Sequence, residues 1–183
     1  MLKIYKIFAL GLVSSCAKFP RPYEGIELAL QQSEENAVKL EERDSSIRMD
    51  QIRYVYETFD SSTAQKAAEL YANQFYFNDR IHIIQNLPNL KSYFAKQAEQ
   101  CAQCRLEFTG FVQQNKDFFT HWVMHIQTNP SNPSRKYYGM SRLRFNNAGK
   151  IILHLDYWDF SELMESIPII GRITAWFRDF LAG

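Results

Sequence analysis

Residues 136–159, which read KYYGMSRLRFNNAGKIILHLDYWD, decide the fold of this chain. Apolar and polar side chains alternate on both sides of Asn-Asn-Ala-Gly at 146–149, a sequence typical of a turn. The period of two predicts two antiparallel strands, residues 136–145 and 150–159, joined by that turn.

Alternation along the second strand divides its side chains between two faces. One face combines apolar, imidazole, carboxylate and indole groups, which suits the wall of a cavity better than a dry core. The other is wholly apolar, so a C-terminal helix or another subunit must cover it. The two faces are Ile152, His154, Asp156 and Trp158 on the cavity side, and Ile151, Leu153, Leu155 and Tyr157 opposite them.

Towards the N-terminus the same period predicts strands at 105–113 and 118–127, separated from the next strand by Asn-Pro-Ser-Asn-Pro-Ser at 129–134. A further short strand is predicted at 74–79. In that strand Phe75, Phe77 and Asp79 alternate with their neighbours and are expected to point inward.

Helical spacing dominates the rest of the chain. Ser46 is a candidate cap for a first helix with apolar positions Met49, Ile52, Tyr56 and Phe59. A capping-box pattern at 62–65 predicts a second helix, and Asn86-Leu87-Pro88 predicts the start of a third. Segments 160–167 and 169–181 close the chain, and the latter is amphipathic. Helices followed by antiparallel strands predict an α+β fold, with a strongly curved sheet wrapped on a helical layer.

Composition limits the function classes. The 183 residues are 46% hydrophobic and 22% charged, which excludes a disordered, collagen-like or coiled-coil chain. Aromatic residues reach 15%, a supply that favours aromatic strands and an aromatic-lined cavity. The net charge of +1 provides no bulk basic field for nucleic acid and no acidic excess for a cation buffer.

Residues 1–16, MLKIYKIFALGLVSSC, have the pattern of a signal peptide that ends in a lipobox. Lys3 and Lys6 precede an apolar run at 7–13, which is shorter than the about 20 residues that span a bilayer. Cys16 would then carry the lipid and anchor the protein in the bacterial cell envelope, facing the periplasm. The alternative is a short amphipathic or buried segment in a cytoplasmic protein. Residues 17–45 are rich in acidic side chains and are expected to form a tether, either a solvated helix or a flexible spacer.

Cys101 and Cys104 form a CxxC motif after a predicted helix, where no helix N-terminus lowers a thiol pKa. A local disulfide is expected if the domain is exported, and two plain thiols if it is cytosolic. His121 and His125 share a strand face but lack a third ligand at matching spacing, so no metal site and no cofactor are predicted.

The order of these elements resembles the nuclear transport factor 2-like superfamily, over residues 46–183. Leu-Tyr-Ala at 70–72, Phe-Asn-Asp at 77–79 and Tyr-Phe at 93–94 match its first strand and the following helix. Residues 139–145, 149–151 and 156–159 resemble the ending of SnoaL-like proteins. A bacterial subset shares the C-terminal tail with Pro168, Gly171, Trp176 and Arg178. The resemblance implies a cone-shaped pocket and, as in many relatives, a homodimer through the sheet.

The resemblance also implies candidate site residues. In steroid-isomerase relatives an acid at the position of Asp79 is the general base, Tyr54 falls near the oxyanion-stabilising tyrosine, and Ser141 stands where they carry a protonated Asp. In epoxide-hydrolase relatives a last-strand acid matches Asp156, but their Arg-x-Asp pair falls where this chain reads His-Trp-Val-Met at 121–124. Both catalytic sets are therefore incomplete here.

Three functional interpretations follow. The first is a lipid-anchored domain that binds a small apolar ligand without chemistry, in a pocket walled by Tyr54, Phe75, Phe77, Ser141, His154 and Trp158. The second is an isomerase or hydrolase that uses Asp156, Asp79 or both as acid or base. The third is a protein-interaction scaffold. Asp79 could instead end its strand beside Arg80 in a surface ion pair, and Asp156 could be a polar lining residue only. The membrane is contacted only through the N-terminal lipid, and no nucleic acid is expected.

Overall fold

The structure is a computed structural model that describes residues 25–131, 133–165 and 168–182. The leader and Cys16 lie outside these residues. The helices are α1 (Ile26–Asn36), α2 (Glu42–Tyr56), α3 (Thr63–Leu70), α4 (Leu87–Gln100), α5 (Phe160–Glu165) and α6 (Pro168–Ala182). The strands are β1 (Tyr71–Asn78), β2 (Ile83–Ile84), β3 (Gln103–Gln114), β4 (Asp117–Gln127), β5 (Arg135–Phe145) and β6 (Ile151–Trp158). Within the described part of the chain no helix has the length and apolar character to cross a membrane.

The six strands form one sheet, in the order β2-β1-β6-β5-β4-β3. This sheet is one layer of the molecule, and the helices form the other. Strands β3 to β6 are a meander, and only β1 runs parallel to its neighbour β6. The predicted α+β architecture, with helices on a mostly antiparallel sheet and a C-terminal helix, is confirmed.

A bulge at the start of β6 changes which side chains face inward. Phe145 pairs with Ile151, but the preceding residue Arg144 pairs with Leu153, so Ile152 is an extra residue in the strand. Ile151 therefore joins the inner core, whereas Ile152 leaves the cavity face. The predicted alternation is wrong for these two residues, because strict alternation assumes an unbroken ladder.

The core lies between the inner face of the sheet and helices α2 and α4. Met49 and Ile52 of α2 and Leu90 of α4 are almost fully buried against the sheet. The helical spacing predicted at Met49, Ile52 and Tyr56 is therefore confirmed. Helix α2 begins at Glu42 rather than at Ser46, whose hydroxyl bonds to the Glu42 carbonyl inside the helix and so cannot act as its cap.

Helix α1 covers the outer face of β6 where the sequence predicts a C-terminal helix or a second subunit. Ala29 of α1 is buried in a cluster with Leu153 and Leu155, so α1 covers these two residues, while Tyr157 on the same face is 37% exposed. A second subunit on this face stays a prediction. This helix lies inside the segment 17–45 that was predicted to be a tether. Residues 26–36 are instead packed structure, because their small side chains fit closely against β6 even though their opposite face is acidic.

Arginines on the outer face of β5 hold α1 in place. The buried Arg144 donates from Nη1 to the Leu30 carbonyl at 2.7 Å and to Ser33 Oγ at 3.0 Å. Its Nε donates to Asp117 at 2.7 Å, and Arg142 contacts the same carboxylate. Burial raises the pKa of the Asp117 carboxyl, but hydrogen bonds from Arg142 and Arg144 outweigh burial and hold that pKa below its ordinary value. Asp117 therefore stays ionised and remains hydrogen-bonded to both Arg142 and Arg144.

The apolar stripe of α6 is exposed. Trp176 is 60% exposed, and Phe177, Phe180 and Leu181 are exposed as well. The prediction that this stripe covers the sheet is wrong, since α1 occupies the outer face of β6 and α6 packs mainly on α5. Its use as a subunit interface stays a prediction.

Candidate functional site

A cavity of about 330 Å³ lies between the inner face of the sheet and helices α2 and α4. Inward-facing residues of five strands and the helices form its wall, because alternate strand positions project to the same side. Apolar and aromatic side chains supply most of the surface, among them Ile52, Phe59, Phe94, Leu106 and Phe108. The titratable lining residues are Tyr56, Asp79, His82, Tyr93, Tyr137, His154 and Asp156.

Two series of hydrogen bonds meet at the carboxylate of Asp156. On one side the Trp122 indole donates to Ser141 Oγ at 2.9 Å, and Ser141 donates to Asp156 Oδ1 at 2.5 Å. On the other side His154 Nε2 lies 2.9 Å from the same oxygen. The strand register produces this arrangement, since Ser141 of β5 pairs directly with Asp156 of β6.

Two buried tyrosines extend the chain beyond His154. The Tyr71 hydroxyl lies 2.5 Å from His154 Nδ1 and 3.0 Å from the Tyr56 hydroxyl. Burial raises the pKa of both phenols well above their ordinary value, so both remain protonated. The chain is continuous when Tyr56 donates to Tyr71, Tyr71 donates to His154 Nδ1, and His154 Nε2 donates to Asp156 Oδ1.

The second carboxylate oxygen of Asp156 is left to the cavity. All hydrogen bonds that Asp156 makes to the described residues go to Oδ1, and its side chain is 15% exposed. An ionised oxygen on a largely apolar wall is costly unless a donor meets it. Oδ2 is therefore available to a ligand or to a proton in transfer.

Asp79, at the end of β1, is both a turn-forming group and a lining group. Its Oδ1 accepts from the amides of Ile81 at 2.8 Å and His82 at 2.5 Å. Its Oδ2 accepts from the Tyr93 hydroxyl at 2.7 Å and lies 3.1 Å from His82 Nδ1. Burial and then the Asp79 charge raise the pKa of Tyr93, which therefore stays protonated as a donor. Asp79 is more fully bonded than Asp156 and has less capacity for a ligand.

Six of the residues predicted for the site share the cavity wall: Phe77, Asp79, Ser141, His154, Asp156 and Trp158. Two predicted wall residues do not. Tyr54 is 69% exposed beneath the Lys66 ammonium, because inward-facing Ile52 and Tyr56 turn position 54 away from the sheet. Phe75 is buried in the core against Tyr71, with ring centroids 4.9 Å apart, rather than in the cavity wall.

Sequence reasoning missed the role of Tyr56, Tyr71, Tyr93 and Trp122. The sequence places Tyr56 in the apolar helical stripe of α2. Its hydroxyl is the signal that this position can also form a hydrogen bond. Strand β1 begins at Tyr71, three residues before the strand predicted at 74–79, and this position turns the Tyr71 side chain towards His154. No sequence signal pairs Trp122 with Ser141, because their contact depends on the register between β4 and β5.

A disulfide joins Cys101 to Cys104 at the edge of the cavity. It connects the end of α4 to the start of β3, and Cys101 itself lines the cavity. Of the two alternatives left open by the sequence, the structure has the disulfide. Within residues 25–131, 133–165 and 168–182, no three His, Cys, Asp or Glu side chains are grouped to hold a metal ion.

Comparisons with known proteins agree with this geometry. The SnoaL-like domain model matches residues 52–154. A search of curated proteins finds no match. Among solved structures, a proposed SnoaL-like polyketide cyclase from Jannaschia sp. CCS1 superposes with a TM-score of 0.55 at 9% identity, covering 72% of this chain and 98% of that one.

Two further solved structures show the same fold. An LEH-like epoxide hydrolase of M. tuberculosis has a TM-score of 0.53 at 8% identity and covers 64% of this chain and 84% of its own. An NTF2-like protein of unknown function from Exiguobacterium sp. 255-15 has a TM-score of 0.52 at 15% identity, with coverages of 62% and 98%. At these identities the likeness concerns the fold, and function has to be argued from the cavity.

Proposed function

Because the chain belongs to the SnoaL-like domain family, we propose that it binds a small, mostly apolar organic ligand in the cavity between sheet and helices. The observation that carries this proposal is the cavity itself. Its volume of about 330 Å³ falls in the range of small-molecule sites, and its wall is apolar apart from a few convergent polar groups. Such a wall holds a ligand by burial and orients it through one or two hydrogen bonds.

The two carboxylates of the cavity wall supply polar contacts for the proposed ligand. Asp156 presents Oδ2 to the cavity, while His154 and Ser141 fix its orientation through Oδ1. A carboxylate held in this way can accept a hydrogen bond from a ligand without moving. Binding then requires no rearrangement of the wall, which limits its entropic cost.

One observation favours acid–base catalysis as a second candidate function. Asp156 presents the carboxylate oxygen Oδ2 on an apolar wall, is oriented by Ser141 and His154 through Oδ1, and such a group can abstract a proton from a substrate. The cyclase and epoxide-hydrolase neighbours have the same fold and are described as enzymes. Residues 121–124, where the resemblance to epoxide hydrolases implies an Arg-x-Asp pair, read His-Trp-Val-Met, and of these Trp122 and Met124 line the cavity. The ligand-binding role therefore remains the main proposal.

Filling the cavity tests the binding proposal. Met124 lines the cavity, whereas the preceding residue, Val123, projects from the other face of β4. We expect Met124→Trp to weaken binding of the neutral apolar dye N-phenyl-1-naphthylamine at least tenfold, because the indole occupies the ligand volume. Fluorescence titration of the dye measures the effect.

Val123→Trp is the matched control and should leave the dye affinity within about twofold, since its indole points away from the cavity. Equal dye affinity in both variants, with both proteins folded by circular dichroism, would remove the cavity as the binding site. No dye binding by the unmodified protein would contradict the proposal altogether.

We also propose that Cys16 carries a lipid and holds the domain at the envelope membrane. The support is the leader sequence, with Lys3 and Lys6 before an apolar run and a cysteine directly after small residues. The disulfide between Cys101 and Cys104 is consistent with an oxidising compartment outside the cytosol. Stable anchoring requires more than one acyl chain, as bacterial lipoprotein modification supplies.

Cys16→Ala is expected to abolish labelling by radioactive palmitate and to leave the leader uncleaved, because the modified residue is absent. Labelling in the native host, followed by fractionation and N-terminal mass analysis, measures both outcomes. Cys101→Ala with Cys104→Ala serves as the control and should label normally. If the protein without substitutions is recovered from the soluble fraction with Met1 still at its N-terminus, the proposed anchor is refuted.

A further inference from the structure

The charges that line the cavity are of one sign. Asp79 and Asp156 are its two carboxylates, and no Lys or Arg lines it within the described part of the chain. Both ring nitrogens of His154 are occupied, Nδ1 by the Tyr71 hydroxyl and Nε2 by Asp156 Oδ1. His82 is the remaining base, but its side chain is 47% exposed and already paired with Asp79. The interior is therefore electronegative, which opposes an anionic ligand and favours a cationic one.

The indoles and the buried phenols at or beside the wall are already engaged, although the Tyr137 hydroxyl and the side-chain amides of Gln97 and Gln100 also line the cavity. The Trp158 indole donates to the Asp79 carbonyl at 2.8 Å, and the Trp122 indole donates to Ser141. Tyr93 donates to Asp79, and the buried Tyr71 is committed to His154. An acceptor-only ligand, such as a carboxylate or a phosphate ester, meets no Lys or Arg donor among the described lining residues. By contrast, Asp156 Oδ2 is an acceptor without a hydrogen-bond donor among the described residues.

Aromatic rings stand on the same face as this acceptor. Trp158 follows Asp156 by two residues on β6, and Phe77 contacts His154 with ring centroids 4.9 Å apart. Tyr137 packs edge-on against Trp158 at 6.1 Å. Aromatic faces beside a carboxylate attract organic cations through the ring quadrupole, most strongly where water is excluded. These rings and Asp156 together form a complementary surface for an alkylammonium group.

We propose that the ligand of this cavity is a lipophilic amine in its ammonium form. Its N–H group donates to Asp156 Oδ2, its charge lies beside the aromatic rings, and its apolar portion occupies the region lined by Phe94, Leu106 and Phe108. This inference rests on the proposed function, since it assumes that the cavity binds a ligand, and adds the chemical class of that ligand.

Three probes with one skeleton test the class: the cation 4-phenylbutylammonium, the neutral 4-phenylbutan-1-ol and the anion 4-phenylbutanoate. We expect the ammonium to bind at least about tenfold more tightly than the alcohol, because its hydrogen bond to Asp156 is charge-assisted. The anion should bind most weakly. Isothermal titration calorimetry at pH 7 and displacement of N-phenyl-1-naphthylamine measure all three affinities.

Asp156→Asn should remove the preference for the ammonium while leaving the alcohol affinity within about threefold, because the amide keeps the shape and loses the charge. Asp50→Asn is the matched control, since it removes one negative charge from an exposed position on α2 and should change neither affinity. If Asp156→Asn fails to fold, the order of the three probes on the unmodified protein still decides the proposal.

The outcomes separate this inference from the proposed function. Binding of the dye and the alcohol with no preference for the ammonium would overturn the amine and leave the apolar cavity standing. Binding of 4-phenylbutanoate more tightly than of 4-phenylbutylammonium would also overturn the amine proposal. Absence of binding by every probe, including the dye, would refute both proposals.

Discussion

Gly139→Ala is expected to destabilise the protein by about 1–3 kcal/mol and to abolish dye binding, although it adds a single methyl group. A Cβ at position 139 would lie 2.2 Å from the Trp122 indole, which crosses the backbone of Gly139 from the neighbouring strand. The buried indole would have to move. It would lose its hydrogen bond to Ser141 and so disturb the chain that fixes Asp156.

Gly110→Ala is the matched control for this substitution. Gly110 also lies in the sheet, but a Cβ there meets no atom within 4 Å, so the added methyl group costs no packing. Urea unfolding followed by circular dichroism gives the two free energies, and dye titration gives the two affinities. Similar stabilities for Gly139→Ala and Gly110→Ala would show that Trp122 can be relocated without cost and that it does not support the cavity wall.

Arg144→Leu is expected to lower the free energy of unfolding by about 3 kcal/mol, the lower end of the cost of breaking a buried ion pair. Arg144 is 7% exposed and binds Asp117, Glu34 and the Leu30 carbonyl, so its removal loosens α1 from the outer face of β6. The cost is at the lower end because Arg142 still neutralises Asp117. Urea unfolding measures the loss, and limited proteolysis between residues 37 and 41 reports the loosening of α1.

The control for Arg144 is Arg53→Leu. Arg53 forms an ion pair with Asp50 at 3.3 Å on the exposed side of α2, and such pairs contribute less than about 1 kcal/mol. Losses of the same size in Arg144→Leu and Arg53→Leu would contradict the view that β5 arginines hold α1 on the sheet.

Local periodicity predicted most of the fold, because burial of one face imposes that periodicity wherever an element is regular. The strands β3 to β6 and the stripe of Met49, Ile52 and Tyr56 follow directly from it. It failed at the bulge in β6, where one inserted residue exchanges Ile151 and Ile152 between faces without changing the composition of the strand. A bulge depends on the partner strand, so a single strand's sequence does not reveal it.

The candidate site was predictable for residues on regular positions and not for those brought in by tertiary contacts. His154, Asp156 and Trp158 were assigned to one face by alternation alone, and the structure has all three in the cavity wall. Tyr54 was assigned by its similarity in position to relatives, although the helical phase of Ile52 and Tyr56 already argued against it. The acidic exposed face of α1 predicts a tether, because small buried residues such as Ala29 leave a weak hydrophobic signal in the sequence.

The distribution of the three tryptophans has a consequence for spectroscopy. Trp122 and Trp158 line the cavity, whereas Trp176 is exposed on α6. Indole emission depends on the polarity around the ring, so a ligand that displaces water from the cavity alters light from the first two and leaves the third unchanged. In a Trp176→Phe background, all remaining indole emission comes from the cavity wall. Occupancy can then be followed by intrinsic emission, without any added label.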